Sequence, residues 1–270
     1  MPLITRRVPF SPQDPFRPKR PQTNKIIFLS FEGSVTEEEY FDRVTNLFPE
    51  IKSKIQFISV AEDAVHTRAK FRTPNQALLL SRVRPKQLVE RIDQFKQQKN
   101  DIYQFSQYPD DEFWIVTDVD QNWSNQIIDT QTGKTYKDEW DDAIAQCQQK
   151  GYSYAISNPF FEIWLLLHHD IPSEEDKSFA VSSTHAYEKT DHFRTRLADL
   201  NVSLKDKKHI NPLDYDTQKI RLAVQRAEEL HIDKADLSPE YFATTVYLLL
   251  QKIIAMLPDN TSLEVPNNEE

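Results

Sequence analysis

Two short acidic motifs mark where this chain could do chemistry. Phe31-Glu32-Gly33 puts a carboxylate, then one of only three glycines, at the end of an apolar run. Thr117-Asp118-Val119-Asp120 puts two more carboxylates, two residues apart, at the end of another. Side chains alternate along a strand, so Asp118 and Asp120 face one side if the extended geometry persists. If the two runs are neighbouring strands, Glu32 lies within about 5 Å of the same point, the spacing between strands. Three bare carboxylates that close raise one another's pKa, and a divalent cation removes the conflict. An oxygen-only ligand set, with no cysteine pair and no paired histidines, suits Mg2+ or Mn2+ rather than Zn2+. Asp118 and Asp120 would hold the ion. Glu32 would be a further ligand, or the general acid/base that activates water or protonates a leaving oxygen. Either motif alone is weak, because Asp in such loops commonly does no more than cap backbone N–H groups. Their joint position after the two most buried runs is what gives them weight.

The elements that would carry these residues follow from hydrophobic patterning. Ile26-Ile27-Phe28-Leu29-Ser30-Phe31 is a near-continuous apolar run, the pattern of a strand covered on both faces. Thr36 or Ser34 can cap a helix over Glu37–Phe48, with Glu37, Glu38 and Glu39 at its positive end. Alternation predicts a strand over 54–60. A helix, or two broken at Pro85, fits 75–99. Phe113–Thr117 predicts another buried strand, followed by a polar loop to Gly133, a helix near 136–149 and a strand over Tyr152–Ile156. Strands alternating with helices imply a mainly parallel α/β sheet flanked by helices, whose ligands sit at the carboxyl ends of the strands. After Asn158-Pro159 the pattern turns helical: Phe160–His169, then helices near 184–200, 216–231 and 238–256. The last is announced by Ser238-Pro239-Glu240. The expected organisation is a basic Pro-rich extended arm over 1–24, an α/β domain over 25–160, a helical extension packed on it over 161–257, and an acidic tail over 258–270. There is no internal repeat.

The chain has 270 residues, 39% hydrophobic and 28% charged, which reads as globular. Its net charge of −9 is unevenly spread. The first hundred residues hold 18 basic and 11 acidic side chains, and the remainder 15 and 31. An acidic protein is a poor non-specific nucleic-acid binder, but a basic N-terminal third leaves room for a local phosphate-binding surface. Arg68, Lys70, Arg72, Arg82, Arg84 and Lys86 form a basic stretch that is either a solvated face or a grip on phosphates beside the acidic site. Lys205, Lys207, Lys208 and His209 allow the same two readings. The single cysteine, Cys147, excludes an internal disulfide and a Cys-based zinc ribbon, and points to a reducing, cytoplasmic location. No apolar run approaches about 18 residues, so no membrane-spanning helix is expected, and the N-terminus lacks a signal-peptide layout. Asn158 and Glu162 fall at the same sheet edge as the acidic motifs. Glu162 is either a carboxylate favoured by a helix N-terminus or an added metal or water ligand. His168-His169 reads as a cation at a helix C-terminus, and Trp164 as core.

Three blocks resemble a known family. Phe31-Glu32-Gly33-Ser34-Val35-Thr36-Glu37-Glu38-Glu39-Tyr40-Phe41 and Trp114-Ile115-Val116-Thr117-Asp118-Val119-Asp120 resemble a Toprim domain, with its Glu after the first strand and Asp-x-Asp after the third. Ser157-Asn158-Pro159-Phe160-Phe161-Glu162-Ile163-Trp164-Leu165-Leu166-Leu167-His168-His169, which plain Toprim domains lack, makes the chain resemble the RloB-like family, including AbiLii-type abortive-infection proteins. The resemblance covers residues 25–170 well and the helical remainder loosely. It implies a Toprim-like sheet and a Mg2+- or Mn2+-dependent nuclease cutting DNA or RNA as an effector of anti-phage defence. Glu32, Asp118 and Asp120 would be catalytic and metal-binding, Glu162 a further ligand, and Gly33 and Asn158 supporting. It also implies an ABC- or SMC-like ATPase partner, since three glycines cannot build a phosphate-binding loop here. The alternative is a non-catalytic effector or sensor subunit that docks such an ATPase. Self-association is left open.

Overall fold

A computed structural model describes residues 20–21, 23–33, 35–58, 84–119, 126–130, 132–182, 186–202, 204–206, 208–237 and 242–257. Asp120, Arg68, Lys70, Arg72 and Arg82, with most of the arm and the acidic tail, lie outside the described residues.

A five-stranded sheet organises the molecule: β1 (Ile27–Phe31), β2 (Ile55–Phe57), β3 (Glu112–Asp118), β4 (Ser153–Asn158) and β5 (Ala243–Thr244). Its order is β2-β1-β3-β4-β5. β1 pairs in parallel with β2 and β3, and β3 in parallel with β4, while β5 runs antiparallel to β4. The expected mainly parallel α/β sheet is therefore present. The first crossover, through α1 (Thr36–Leu47), carries the chain from β1 to one side. The next, through α2 (Pro85–Tyr103), returns it to the other side as β3. That reversal makes the gap between the carboxyl ends of β1 and β3 the topological switch point, where α/β sheets open a crevice.

Alternation along the strands divides the core in two. Ile27, Leu29, Phe31, Trp114, Val116 and Ala155 face one layer, with α1 and all the helices that follow β4. Those helices are α4 (Glu162–Leu167), α5 (Glu174–Ser182), α6 (Ala186–Asp199), α7 (Thr217–Leu230) and α8 (Val246–Ile254). Phe28, Phe113, Ile115, Tyr154 and Ile156 face the other layer, with α2 and α3 (Tyr136–Lys150). Covered on both sides, β1 and β3 carry the apolar runs that a parallel sheet requires. Gly151 ends α3 at φ +68, where its N–H bonds to the Cys147 and Gln148 carbonyls in a left-handed cap. Cys147 itself is free and buried.

The structure departs from expectation in several places. The helix over 238–256 begins only at Val246. Residues 238–241 lie outside the described set, and Ala243–Thr244 form β5 instead. The cause is the open edge of β4. Thr245 N–H donates to the Ile156 carbonyl (2.8 Å), Thr245 Oγ1 accepts from Ile156 N–H (2.8 Å), and Thr244 Oγ1 meets Ser157 Oγ at 3.0 Å. Those hydroxyls complete a ladder that a helix there would leave unpaired. Helix α5 was not foreseen. Ser173 and Asp176 bond reciprocally at its start, a box in which Asp stands where Glu or Gln is usual. Within the segment read as an extended arm, the Arg20 side chain is largely covered, 7% exposed. Its guanidinium grips Asp111 at 2.9 and 2.7 Å and stacks 3.6 Å from the Tyr108 ring centroid.

Candidate active site at the carboxyl end of the sheet

Every carboxylate nominated within the described residues sits at one end of the sheet. Glu32 leaves β1, Asp118 closes β3, and Glu162 opens α4 just beyond β4. Glu32 N–H continues the ladder by donating to the Val116 carbonyl at 2.9 Å, which fixes the turn out of β1 against β3. The Glu32 side chain then reaches across. Its Oε2 accepts from the Thr117 hydroxyl and from Asp118 N–H at 3.1 Å. Glu32 and Asp118 are thus joined across the switch point, as their positions after neighbouring strands demand. Phe161 N–H donates to Asp118, tying the β4–α4 turn to the same place.

A fourth carboxylate completes the group. Glu37, in the first turn of α1, is buried, and its Oε1 accepts from Gly33 N–H at 3.1 Å. Gly33 leaves room for this contact: a Cβ at that position would stand 2.0 Å from Glu37 Oε2, and the carboxylate would have to move. The sequence presents Glu37 only as a favourable charge at a helix end. The signal was its register, since Glu37 shares the buried face of α1 with Tyr40, Phe41 and Val44, whereas Glu38 and Glu39 do not. The other residue not singled out is Arg194 on α6, whose Nε and Nη2 both approach Glu162 Oε1, at 3.1 and 3.0 Å.

These acids hold protons unusually tightly. Burial pushes Asp118 well above the usual carboxylate range, and the neighbouring Glu32, Glu37 and Glu162 push it further. Burial raises Glu37 to about 7 against the pull of its backbone hydrogen bonds, with Glu162 adding repulsion. Burial also raises Glu162, although Arg194 opposes the shift. Repulsion and burial therefore outweigh the counter-charge at this site among the described residues. Among the described residues, no three His, Cys, Asp or Glu side chains stand in a metal-coordinating arrangement. The donor atoms are nonetheless all carboxylate oxygens, the kind that hard divalent cations take.

Under this site lies an aromatic box of Tyr40, Trp164, His168, His169 and Tyr215. His168 Nδ1 lies 2.8 Å from the Trp164 carbonyl and so must donate, which leaves Nε2 to accept from Tyr40 O–H at 3.0 Å. Burial pushes His168 down to about 3, so it is a neutral tie between α1 and α4 and not the helix-end cation expected of it. Trp164 is core, as expected.

The remaining nominated residues fall elsewhere. Asn158 ends β4, paired with Ala243, before a cis bond to Pro159. Arg84 makes salt bridges to Asp129 and Glu139, fastening the start of α2 to α3, and Lys86 lies half-buried on the first turn of α2. In the second basic cluster, His209 Nδ1 lies 2.6 Å from Glu39 Oε1, and the Lys208 carbonyl accepts from the Thr36 hydroxyl at 2.7 Å. Among the described residues, no helix is long and apolar enough to cross a membrane.

No curated protein and no solved structure matches the chain. A family model described as "RloB-like protein" matches residues 27–253, from the first residue of β1 almost to the end of α8. With that match spanning the sheet, the carboxylate group and the helices behind it, the chain belongs to the RloB-like family.

Proposed function

We propose that this protein is a metal-dependent nuclease of Toprim type that hydrolyses phosphodiester bonds in DNA or RNA. In this reading it serves as an effector in bacterial anti-phage defence, beside a separate ATPase. The observation that carries the reading is the convergence of Glu32, Glu37, Asp118 and Glu162 at the topological switch point, where Glu37, Asp118 and Glu162 all have raised proton affinities. Such an arrangement costs stability unless a ligand of opposite charge repays it. Carboxylate oxygens without sulfur or imidazole fit Mg2+ or Mn2+. Asp118, with Asp120 and Glu162, would hold the ion, and Glu32 would be a further ligand or the group that moves the proton. A bound divalent ion would polarise a phosphoryl oxygen and acidify water.

The chain's own residues set the stage for that chemistry. The Thr117 hydroxyl and Asp118 N–H fix the direction of the Glu32 carboxylate. Gly33 N–H does the same for Glu37. The defence role and the ATPase partner rest on the family resemblance, and the partner is required for ATP hydrolysis because this chain has no phosphate-binding loop of its own.

The direct test incubates purified protein with plasmid DNA and with total tRNA, in Mg2+, Mn2+ or EDTA, beside Glu32→Gln and Asp118→Asn. Metal-dependent cleavage lost in both variants supports the reading. No cleavage of either substrate, or undiminished cleavage by both variants, refutes it. A second reading, a non-catalytic subunit that docks an ATPase, draws on the internal partners that Glu32 and Glu162 already have. It predicts co-purification with the ATPase and indifference to both substitutions.

A further inference from the structure

The geometry points to Arg194 as the residue that binds the substrate phosphate at this site, an inference that rests on the nuclease reading and names a contact made from outside the sheet. A phosphodiester carries negative charge, and the mouth it must enter is lined by carboxylates. Metal ions offset part of that repulsion, and a guanidinium at the rim offsets more. Arg194 is placed for this. It comes from α6, in the helical segment that follows the sheet, and its side chain remains 30% exposed while the Glu162 side chain it touches is 9% exposed. Nε and Nη2 converge on one oxygen of Glu162. Nη1 makes only a 3.9 Å approach to Asp191, longer than a hydrogen bond. The guanidinium is thus aimed by one firm contact and one loose one, with donors on its outer edge left for a ligand. A planar fork of that kind matches two phosphate oxygens at once, which an ammonium cannot do.

A purely structural Arg194 would neutralise Glu162 and nothing more. The two roles separate in Arg194→Lys, which keeps the charge beside Glu162 but loses the fork, and in Arg194→Ala, which loses both. Fluorescence anisotropy with a labelled DNA oligonucleotide and a labelled RNA oligonucleotide, in Ca2+ to hold the substrate uncut, reads affinity. Thermal melting reads folding, and cleavage kinetics in Mg2+ read KM against kcat. The expected result is a loss of about tenfold or more in affinity for both variants, seen as raised KM, with the melting temperature of Arg194→Lys unchanged. Wild-type affinity in Arg194→Lys overturns the inference, as does a wild-type protein that binds neither oligonucleotide. Cleavage that persists with unaltered KM in Arg194→Lys defeats the Arg194 role while leaving the nuclease reading intact. Arg194-dependent binding without any cleavage by wild type defeats the nuclease reading alone.

Discussion

The two ends of the sheet carry similar acids and treat them in opposite ways. At the amino end, Asp111 accepts two hydrogen bonds from Arg20 and one from Ile26 N–H at 2.9 Å. Beside it, burial would push Glu112 up. The Lys25 ammonium and the Trp114 indole N–H outweigh burial and hold its carboxyl below the usual range. At the carboxyl end, Glu37, Asp118 and Glu162 are all pushed upward, and Arg194 only partly offsets the charge of one of them. An acid whose partner is built in is a fastening. Acids set close together without full compensation among the described residues favour a ligand of opposite charge, which is why the proposed reading puts the site at that end.

The sharpest way to break the contrast is by substitution at each end. Asp118→Asn is expected to lower cleavage by about 10²-fold or more while leaving the melting temperature equal to or above that of wild type, because it relieves like-charge repulsion. Arg20→Ala should do the reverse. It strands a buried Asp111 and costs about 3 kcal/mol in a denaturant titration, with cleavage per folded molecule unchanged. If Asp118→Asn instead unfolds the protein, the carboxyl end is a fastening as well.

A pH series sharpens the comparison by sign. His168 is held near 3 in the folded protein, against an ordinary value of 6.5. The unfolded chain therefore takes up a proton below 6.5 that the native imidazole refuses, and stability falls with acidity by roughly 3 kcal/mol between pH 6.5 and 4. Glu37 acts oppositely. Its folded value of about 7 exceeds the ordinary 4.5, so its contribution is lost as pH rises between those values. Denaturation midpoints should show a shallower acid loss in His168→Gln and a steeper one in Glu37→Gln. Parallel curves for both variants and wild type would show that neither group titrates as its surroundings dictate. The smallest effect expected is from metal: Mg2+ at about ten times its dissociation constant should raise the melting temperature of wild type by about 3 °C, and that of Asp118→Asn much less.

The sheet was legible because strands covered on both faces must be written as apolar runs, and 26–31 and 113–117 are. Glu32 and Asp118 were legible because they end those runs. Glu37 was harder to find: three consecutive glutamates look alike until the helix is turned, and only its register with Tyr40, Phe41 and Val44 aims it inward. Arg194 gave no local signal, because its meaning comes from a carboxylate 32 residues away. β5 was hidden by a good helix-start signature at Ser238-Pro239-Glu240, which says nothing about the hydrogen bonds that β4 still needed on its far side. The neutral state of His168 follows from three-dimensional burial, which a histidine pair at a helix end does not reveal.

The sheet's two coverings differ in origin, and that constrains any attempt to dissect the protein. One side is closed by helices that lie between the parallel strands in the chain. The other needs, besides α1, segments from beyond residue 160, among them Trp164, Phe193, Ile220 and Leu250 packed toward Leu29 and Val116. A fragment ending after β4 would expose that surface to water and surrender the antiparallel edge as well. Deletion mapping of this protein should therefore be done with point substitutions or internal loop exchanges, since a C-terminal truncation would report collapse and not the loss of one activity.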